Sequence, residues 1–173
     1  MNIVLLGYRG TGKSTIARIL SKRLHRRLFS IDIMIAKKAD LSIRKIVEQH
    51  GWPRFREIET EQAQSVAKTY SNAIVDCGGG IVLNPENISV LKQSGRMVWL
   101  TASFDEIVKR TQADSNRPPL KEGVTFEEEQ RQALTEREPL YRAAADLICD
   151  TSQTPANETA STIIRFFRIK CWI

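Results

Sequence analysis

The sequence predicts an α/β fold built on a parallel sheet, and two observations carry this prediction. Short apolar runs alternate with longer segments that have helical periodicity along all 173 residues, and a glycine-rich turn follows the first apolar run. Such alternation is typical of a parallel sheet covered by helices on both faces. The length suits one domain, and no internal repeat divides the chain, so we expect a single domain over residues 1–173.

The first half of the chain is predicted to hold three strands. "NIVLL" is the first and "RLFSID" the second, and "AIVD" is the third, which the glycines at 78–80 end. "KSTIARILSKRL" places its apolar residues at helical spacing between the first two strands. Two further helical patterns cover about residues 33–49 and 53–69 and precede the third strand.

The second half continues the alternation. Pro85, which suits a first helical turn, begins a helix that leads into strand four, "RMVWLT". Helices are predicted over about residues 103–111 and 125–143, followed by strand five, "DLICDT", and a last helix that begins near Pro155. Between the two middle helices, residues 112–124 are polar and broken by two prolines, which predicts a long loop that acts as a lid.

Composition favours a small anionic ligand. The chain is 42% hydrophobic and 27% charged with a net charge of +6, which is ordinary for a globular protein that binds anions. No long run of lysine and arginine is present, so we expect no nucleic-acid partner. The three cysteines are widely spaced, and the start of the chain has neither a basic leader nor an apolar run of about 18 residues. We therefore expect a cytoplasmic protein without a membrane partner.

The stretch "GYRGTGKST", residues 7–15, matches the phosphate-binding pattern G-x-x-x-x-G-K-[ST] between a strand and a helix. Its glycines let backbone N–H groups face phosphate oxygens, and the helix that follows directs its positive dipole at the same phosphates. The lysine reaches the β- and γ-phosphates, and the serine hydroxyl ligates Mg²⁺. The motif predicts an ATP and Mg²⁺ site formed by Gly10, Thr11, Gly12, Lys13, Ser14 and Thr15.

Downstream motifs point to the acceptor of the phosphate. The N-K-x-D motif of GTPases is absent from the sequence, whereas "SID", "FREIE", "CGGG", "NRPPL" and "REPLYR" follow the phosphate loop in that order. Together these pieces resemble the shikimate kinase family over nearly the whole chain. The resemblance implies a P-loop kinase with strand order 2-3-1-4-5, which transfers phosphate from MgATP to the 3-hydroxyl of shikimate in aromatic amino acid (chorismate) biosynthesis. It also implies a monomer.

The resemblance assigns substrate-binding residues. Asp32, predicted to close strand two, would bind the attacking hydroxyl and accept its proton, although an aspartate here could instead cap a helix. Arg56 and Arg137 would bind the shikimate carboxylate, since a guanidinium matches two carboxylate oxygens. Glu59 would orient the nearer arginine. The glycines of the third turn, Gly78, Gly79 and Gly80, would contact the ring.

On the nucleotide side, the resemblance assigns two arginines and one loop. Arg117 in the lid would contact the transferred phosphoryl group and stabilise its charge. Arg110 would lie near adenine, as would the loop at residues 150–155. In that loop Gln153 stands where the family often carries an arginine.

The sequence departs from the family pattern at Ser30 and Asp76. The family usually has two aspartates around strand two, and the first of them is Ser30 here, while strand three ends in Asp76 in place of a small or hydroxyl residue. We expect Asp76 to replace the missing carboxylate beside Mg²⁺, together with Ser14. The alternative is that Asp76 only binds backbone N–H groups of Gly78–Gly80.

Two other functions compete with shikimate phosphorylation. One is that of a related small P-loop kinase, such as a gluconate or nucleotide kinase, which the paired arginines with the triple glycine and "PLYR" disfavour. The other is that of a shikimate kinase-like protein that binds without catalysis, with Ser30 as the suspect residue. Lys13, Asp32 and Arg117 argue against it.

Overall fold

The structure is a computed structural model that describes residues 1–112 and 125–173. Its sheet has five strands, and the described chain also holds seven helices and one short 3-10 helix. The strands are β1 (Asn2–Leu6), β2 (Leu28–Ser30), β3 (Ile74–Asp76), β4 (Gly95–Thr101) and β5 (Leu147–Asp150). The helices are α1 (Lys13–Leu24), α2 (Ile31–Ala39), α3 (Ile43–Thr69), α4 (Pro85–Ser94), α5 (Phe104–Thr111), α6 (Phe126–Ala144) and α7 (Ala156–Ile169), with the 3-10 helix at Ile81–Leu83.

The five strands are parallel, in the order β2-β3-β1-β4-β5, which confirms the predicted fold class and strand order. The first strand is central and pairs with β3 on one side and β4 on the other. The register places Asp76 opposite both Leu5 and Ser30. All these strands therefore end at one edge of the sheet, where ligands bind in folds of this kind.

Apolar side chains fill both faces of the sheet, because residues alternate between faces along a strand. Ile3 and Leu5 pack on α1 and α7, whereas Val4 and Leu6 belong to the larger core on the opposite face, which includes α3, α4 and α6. The apolar stripe of α7, with buried Ala160, Ile163 and Phe167, packs this last helix on the core that contains Ile3 and Leu5. No helix in the described ranges has the length and hydropathy to cross a membrane.

Two boundaries differ from the sequence prediction. The predicted helix over 33–49 ends at Ala39, because Asp40 takes a left-handed conformation, with φ 52°, before α3 begins at Ile43. The predicted gap between 49 and 53 is a kink inside α3 at Gly51, with φ 78° and ψ 169°, which a residue without a side chain tolerates. Of the predicted lid, residues 113–124 lie outside the described residues.

Candidate active site

The phosphate loop joins β1 to α1 and bends through three glycines with positive φ, namely Gly7, Gly10 and Gly12. The first bend leaves no room for a side chain, since a Cβ on Gly7 would lie 2.3 Å from the carbonyl oxygen of Leu100. Glycine is therefore required at this position by both its conformation and its surroundings. The fixed loop places the start of α1 at the edge of the sheet.

Two side chains of the loop are buried against its own backbone. The Lys13 amine donates a 2.8 Å hydrogen bond to the Tyr8 carbonyl oxygen, and the Thr11 hydroxyl donates to the same oxygen at 2.8 Å. The Thr11 carbonyl in turn accepts a bond from the Thr151 hydroxyl at 3.1 Å. The side chain of Thr11 thus supports the shape of the loop, and Lys13 lies at the start of α1 with its amine close to the loop backbone.

Ser14 connects the phosphate loop to the end of β3. Its hydroxyl donates a 2.7 Å hydrogen bond to Oδ2 of Asp76. Both groups supply oxygen, the donor type that Mg²⁺ prefers, and an ion bound there keeps several waters and bonds to phosphate as well. Among the described residues no group of three or more histidine, cysteine or acidic side chains could hold a metal ion. The hydroxyl of Ser14 and the carboxylate of Asp76 therefore suit a Mg²⁺ ion that is bound partly by these two protein oxygens and partly by phosphate and water.

A broad pocket, here called the phosphate-loop pocket, opens over these residues. Arg110 borders it, and this side chain donates to the carbonyl oxygens of Gly10 at 3.2 Å and Thr151 at 2.9 Å and pairs with Glu106 at 3.0 Å. Gln153 is exposed, two residues beyond Thr151. The pocket is lined by Arg9, Gly10, Gly12, Lys13, Ser14, Thr15, Arg18, Leu28, Ser30, Asp32, Ile33, Asp76, Cys77 and Arg110.

A second pocket, here called the arginine pocket, adjoins the first and shares Arg9 and Asp32 with it. Three arginines and two carboxylates line it together with the apolar side chains of Ile43, Trp52 and Phe55. The rings of Trp52 and Phe55 meet edge to face, with their centroids 5.5 Å apart. The lining residues are Tyr8, Arg9, Asp32, Ile43, Trp52, Phe55, Arg56, Glu59, Gly78, Gly79, Gly80 and Arg137.

Arg56 is held by its neighbours on α3. Its Nη1 lies 2.6 Å from Oε2 of the buried Glu59, and its guanidinium lies 5.4 Å from the Trp52 ring and 5.1 Å from the Phe55 ring. Burial raises the pKa of Glu59, while the charge and hydrogen bond of Arg56 oppose that rise. The Oε1 atom of Glu59 is buried without a hydrogen-bond partner in the described chain. The pair thus places the Arg56 cation on the pocket and leaves one buried carboxylate oxygen beside it without a partner in the described chain.

Arg137 is fixed from the opposite side by the glycine turn. Its Nη1 donates to the carbonyl oxygen of Gly79 at 3.2 Å, and the buried Tyr141 hydroxyl donates a short hydrogen bond to the same oxygen. Its Nε is buried without a partner among the described residues. Both predicted carboxylate-binding arginines therefore lie on one pocket, each with its guanidinium oriented by protein contacts.

Asp32 borders both pockets. The prediction that Asp32 closes strand two is wrong, because β2 ends at Ser30 and Asp32 lies in the first turn of α2, whose N-cap is Ser30. The helix begins early because Ile31 and Ile35 are one turn apart and both fully buried. A Cβ on Gly78 would lie 2.6 Å from Oδ1 of Asp32, so a glycine permits this approach.

Sequence reasoning missed several residues of the site, among them Tyr8, Arg9, Trp52 and Tyr141. The spacing of Trp52 and Phe55, three apart on a helix beside the predicted Arg56, was an available signal. Arg9 carried no such signal, because its partners lie more than a hundred residues away in sequence. The predicted phosphoryl-contacting residue Arg117 lies outside the described residues.

Comparison with known proteins agrees with this geometry. The profile of the shikimate kinase family matches residues 9–168. A shikimate kinase of Geobacter sulfurreducens is 40% identical over 167 residues, which cover 96% of this chain and 91% of the relative. A shikimate kinase of Syntrophus aciditrophicus is 39% identical over 178 residues, again with 96% and 91% covered.

Solved structures show the same likeness. The shikimate kinase of Acinetobacter baumannii in complex with shikimate superposes with a TM-score of 0.91 at 32% identity, covering 98% of this chain and 93% of that one. The shikimate kinase of Aquifex aeolicus gives a TM-score of 0.85 at 27% identity, with 99% and 98% covered. The family profile and these relatives agree with the phosphate loop and the paired arginines of the site. The chain therefore belongs to the shikimate kinase family.

Proposed function

We propose that this protein transfers the γ-phosphoryl group of ATP to the 3-hydroxyl of shikimate and releases ADP and shikimate 3-phosphate. The observation that carries the proposal is that Asp32 borders both the phosphate-loop pocket and the arginine pocket. A carboxylate at the junction of a phosphate site and a carboxylate site is where an acceptor hydroxyl would meet the phosphoryl donor. Family membership supports ATP as the donor and Mg²⁺ as its metal.

The arginine pocket would bind shikimate by its charge and shape. Arg56 and Arg137 would hold the carboxylate, since a guanidinium offers two parallel donors to two oxygens. Trp52 and Phe55 would cover one face of the ring, and backbone groups of Gly78–Gly80 would approach the other polar atoms. This arrangement leaves a hydroxyl free to point towards Asp32.

The transfer itself needs one proton acceptor and stabilisation of charge. The 3-hydroxyl oxygen would form the new bond to the γ-phosphorus as the bond from that phosphorus to the β-phosphate oxygen breaks, and Asp32 would accept the hydroxyl proton. Lys13 would bind the β- and γ-phosphates, and Arg117 would contact the transferred group. Ser14 and Asp76 would hold Mg²⁺, which neutralises phosphate charge when bound.

A coupled assay of ADP release tests this function against its competitors. We expect turnover with shikimate as acceptor, none with gluconate, and only slow hydrolysis without an acceptor. Asp32→Asn should keep shikimate binding within a few fold and lower kcat by about 10²–10⁴, the range of general-base catalysis. Turnover with gluconate but not with shikimate would overturn the proposal, and binding of shikimate without turnover would favour a non-catalytic protein.

A further inference from the structure

A groove runs between the exposed sides of α1 and α7, and it is here called the α1–α7 groove. Besides Ser161, it is lined by three arginines and three aliphatic side chains, namely Arg23, Leu24, Ile164, Arg165, Arg168 and Ile169. None of these residues borders the phosphate-loop pocket or the arginine pocket. Arg23 follows Lys13 by ten residues along α1, a distance of about 15 Å along the helix axis. The groove is therefore a surface separate from the candidate active site.

The groove lies in the most basic part of the chain. Residues 14–27 and 156–173 hold eight of the 26 lysines and arginines but only one of the 20 acidic residues, Glu158. The other 18 cations and 19 acids nearly cancel, so these two segments carry the whole excess of positive charge. A surface with one sign of charge attracts partners of the opposite sign.

The arginines of α7 are not neutralised by the protein itself. Among the residues that the structure describes, neither Arg165 nor Arg168 pairs with an acid, whereas the exposed Arg142 pairs with Glu138 at 3.0 Å. The sequence explains the difference, because "STIIRFFRI" places no acid three or four residues from either arginine. It instead sets two like charges three residues apart on one helix, where they repel each other slightly.

Arg23 of α1 faces the same groove from the other side. Its Nη1 donates to the hydroxyl of Ser161 at 2.8 Å and to the carbonyl oxygen of Asn157 at 3.2 Å, both on α7. These neutral partners orient the guanidinium across the groove without cancelling its charge. Its other N–H groups can therefore still pair with a carboxylate.

An apolar strip accompanies the three arginines. Ile169, the last residue of α7, is 71% exposed, while Leu24 and Ile164 are half-buried and pack on the core beneath. Covering exposed aliphatic surface stabilises a complex, and cations beside such a surface select an occupant that is both apolar and acidic. A nucleic acid would place its phosphates over apolar carbon, and a flat membrane would not follow a groove between two helices. An amphipathic helix has the shape and the two kinds of side chain that the groove needs.

We propose that the α1–α7 groove binds an acidic amphipathic helix of a partner protein. The apolar side chains of that helix cover the three aliphatic residues of the groove, and its carboxylates pair with the three arginines, whose planar donors match two carboxylate oxygens. The partner attaches away from the phosphate-loop pocket and the arginine pocket, so both stay open while it is bound.

Fluorescence anisotropy of a labelled, designed helix tests the groove directly. The probe has about five turns, with leucine along one face and glutamate on both flanks, and a scrambled peptide of the same composition spreads its leucines all round. At physiological salt we expect the designed helix to bind at least about tenfold more tightly than the scrambled peptide, since only the former can bury its leucines together.

Two sets of variants locate the binding site. Arg165→Gln with Arg168→Gln should weaken binding of the designed helix at least about fivefold, and Ile169→Ser about threefold or more. The matched control, Arg44→Gln with Lys45→Gln, removes the same charge from the exposed surface of α3 and should change the affinity less than about twofold. ADP release should be unchanged in the α7 variants. If the double α7 variant does not fold, Arg168→Gln alone and Ile169→Ser decide the matter.

Several outcomes would overturn the proposal. Equal losses in the α7 and α3 double variants, or equal binding of the designed and scrambled peptides, would show a general effect of net charge. Tighter binding of vesicles of phosphatidylcholine and phosphatidylserine, or of a thymidine oligonucleotide, that the double α7 variant abolishes would assign the groove to a membrane or a nucleic acid instead. Self-association in sedimentation that the same variant abolishes would assign it to a second copy of this chain.

Discussion

Ser30 and Asp76 are register partners at the ends of β2 and β3, and the carboxylate of the pair lies on the inner strand. From there Asp76 accepts the 2.7 Å hydrogen bond from Ser14. The charge at this edge of the sheet is thus attached to the strand next to β1, directly beside the phosphate loop. This contact favours a role near the metal over a cap on the glycine turn alone.

The first prediction concerns that carboxylate. Asp76→Asn keeps an oxygen that can accept from Ser14 but removes the charge, so the loop should hold its shape while its affinity for Mg²⁺ falls. Groups that orient metal-bound water commonly contribute 10–100-fold in affinity or activity, and we expect a loss in that range. A titration of activity against Mg²⁺, and of Mn²⁺ binding to the ATP complex by spin resonance, measures it.

The double change Ser30→Asp with Asp76→Ser is the matched control for this position. It moves the carboxylate to the neighbouring strand and should recover activity. Ser30→Asp alone should do worse, because three carboxylates with Asp32 and Asp76 would repel one another. A Mg²⁺ curve for Asp76→Asn that overlays that of the unaltered protein would show that Asp76 is only structural.

The second prediction concerns Arg137. Under the proposed function, Arg137→Ala removes one charge-assisted donor to the shikimate carboxylate, an interaction of about 1.5–3 kcal/mol, so the shikimate KM should rise at least about tenfold. The Kd for ATP should change little. Tyr141→Phe is a control, since it removes the other donor to the Gly79 carbonyl but no carboxylate contact, and its effect should be smaller. An unchanged KM in Arg137→Ala would remove this residue from the binding site.

The third prediction uses two neighbouring glycines. A Cβ on Gly80 would lie 2.1 Å from Nη2 of Arg56, whereas a Cβ on Gly79 would meet its nearest atoms at 3.5 Å, an ordinary contact. Gly80→Ala should therefore displace the guanidinium and raise the shikimate KM by about tenfold or more. Gly79→Ala should have a much smaller effect. Steady-state kinetics of both variants measure the shikimate KM. An equal rise in the two variants would contradict the role of Arg56 in binding the carboxylate.

The fourth prediction concerns pH. Burial raises the pKa of Glu59 despite the opposing charge of Arg56, so Glu59 gains a proton at a higher pH than an ordinary glutamate does as the solution is acidified. Protonated Glu59 no longer holds Arg56 by charge, and the shikimate KM should rise from neutral into mildly acidic pH. Glu59→Gln should remove this part of the profile, while Glu57→Gln, on the exposed surface, should retain it.

The raised pKa of Glu59 also sets how the stability of the fold changes with pH. Because the folded-state pKa lies above the unfolded-state value, Glu59 stabilises the fold most at pH values below the unfolded pKa, and that contribution is lost as pH rises through the folded pKa. In thermal unfolding experiments, Glu59→Gln should therefore not show this loss of stability as the pH rises. If the two proteins lost stability in parallel as pH rose, Glu59 would not be the group that titrates.

The fifth prediction comes from sequence, since Arg117 lies outside the described residues. An arginine that contacts the transferred phosphoryl group stabilises the charge of the transition state, so Arg117→Ala should lower kcat by orders of magnitude and leave part of the ATP affinity. Lys121→Ala, which removes a cation from the same segment, should affect kcat far less. Equal losses in both variants would indicate a general effect of charge.

Local motifs explain what could be predicted from the sequence. The phosphate loop is contiguous, and its glycines and Lys13 follow from the geometry of phosphate binding, so the sequence alone identifies them. The sheet order came from the family resemblance. The carboxylate at the end of β3 stands out in the sequence because it departs from the family pattern.

Other features depend on contacts that no local pattern records. The break at Asp40 required a left-handed residue, a conformation that aspartate adopts only in the right surroundings. The start of α2 at Ile31 depends on burial of its apolar side chains. Arg9 and Glu129 meet only in the folded protein, and an arginine inside a phosphate motif gives no sign of its partner.

The central position of β1 also shapes how the chain folds as it is made. Residues 2–6 are synthesised well before their pairing partners, such as Ile74 and Trp99. Until then the most apolar strand of the sheet has no neighbour, and long-range parallel pairing is slow and open to aggregation. A nascent chain that stops before β4 leaves one whole edge of β1 unpaired, so β1 has both of its neighbours only after Thr101 has been synthesised.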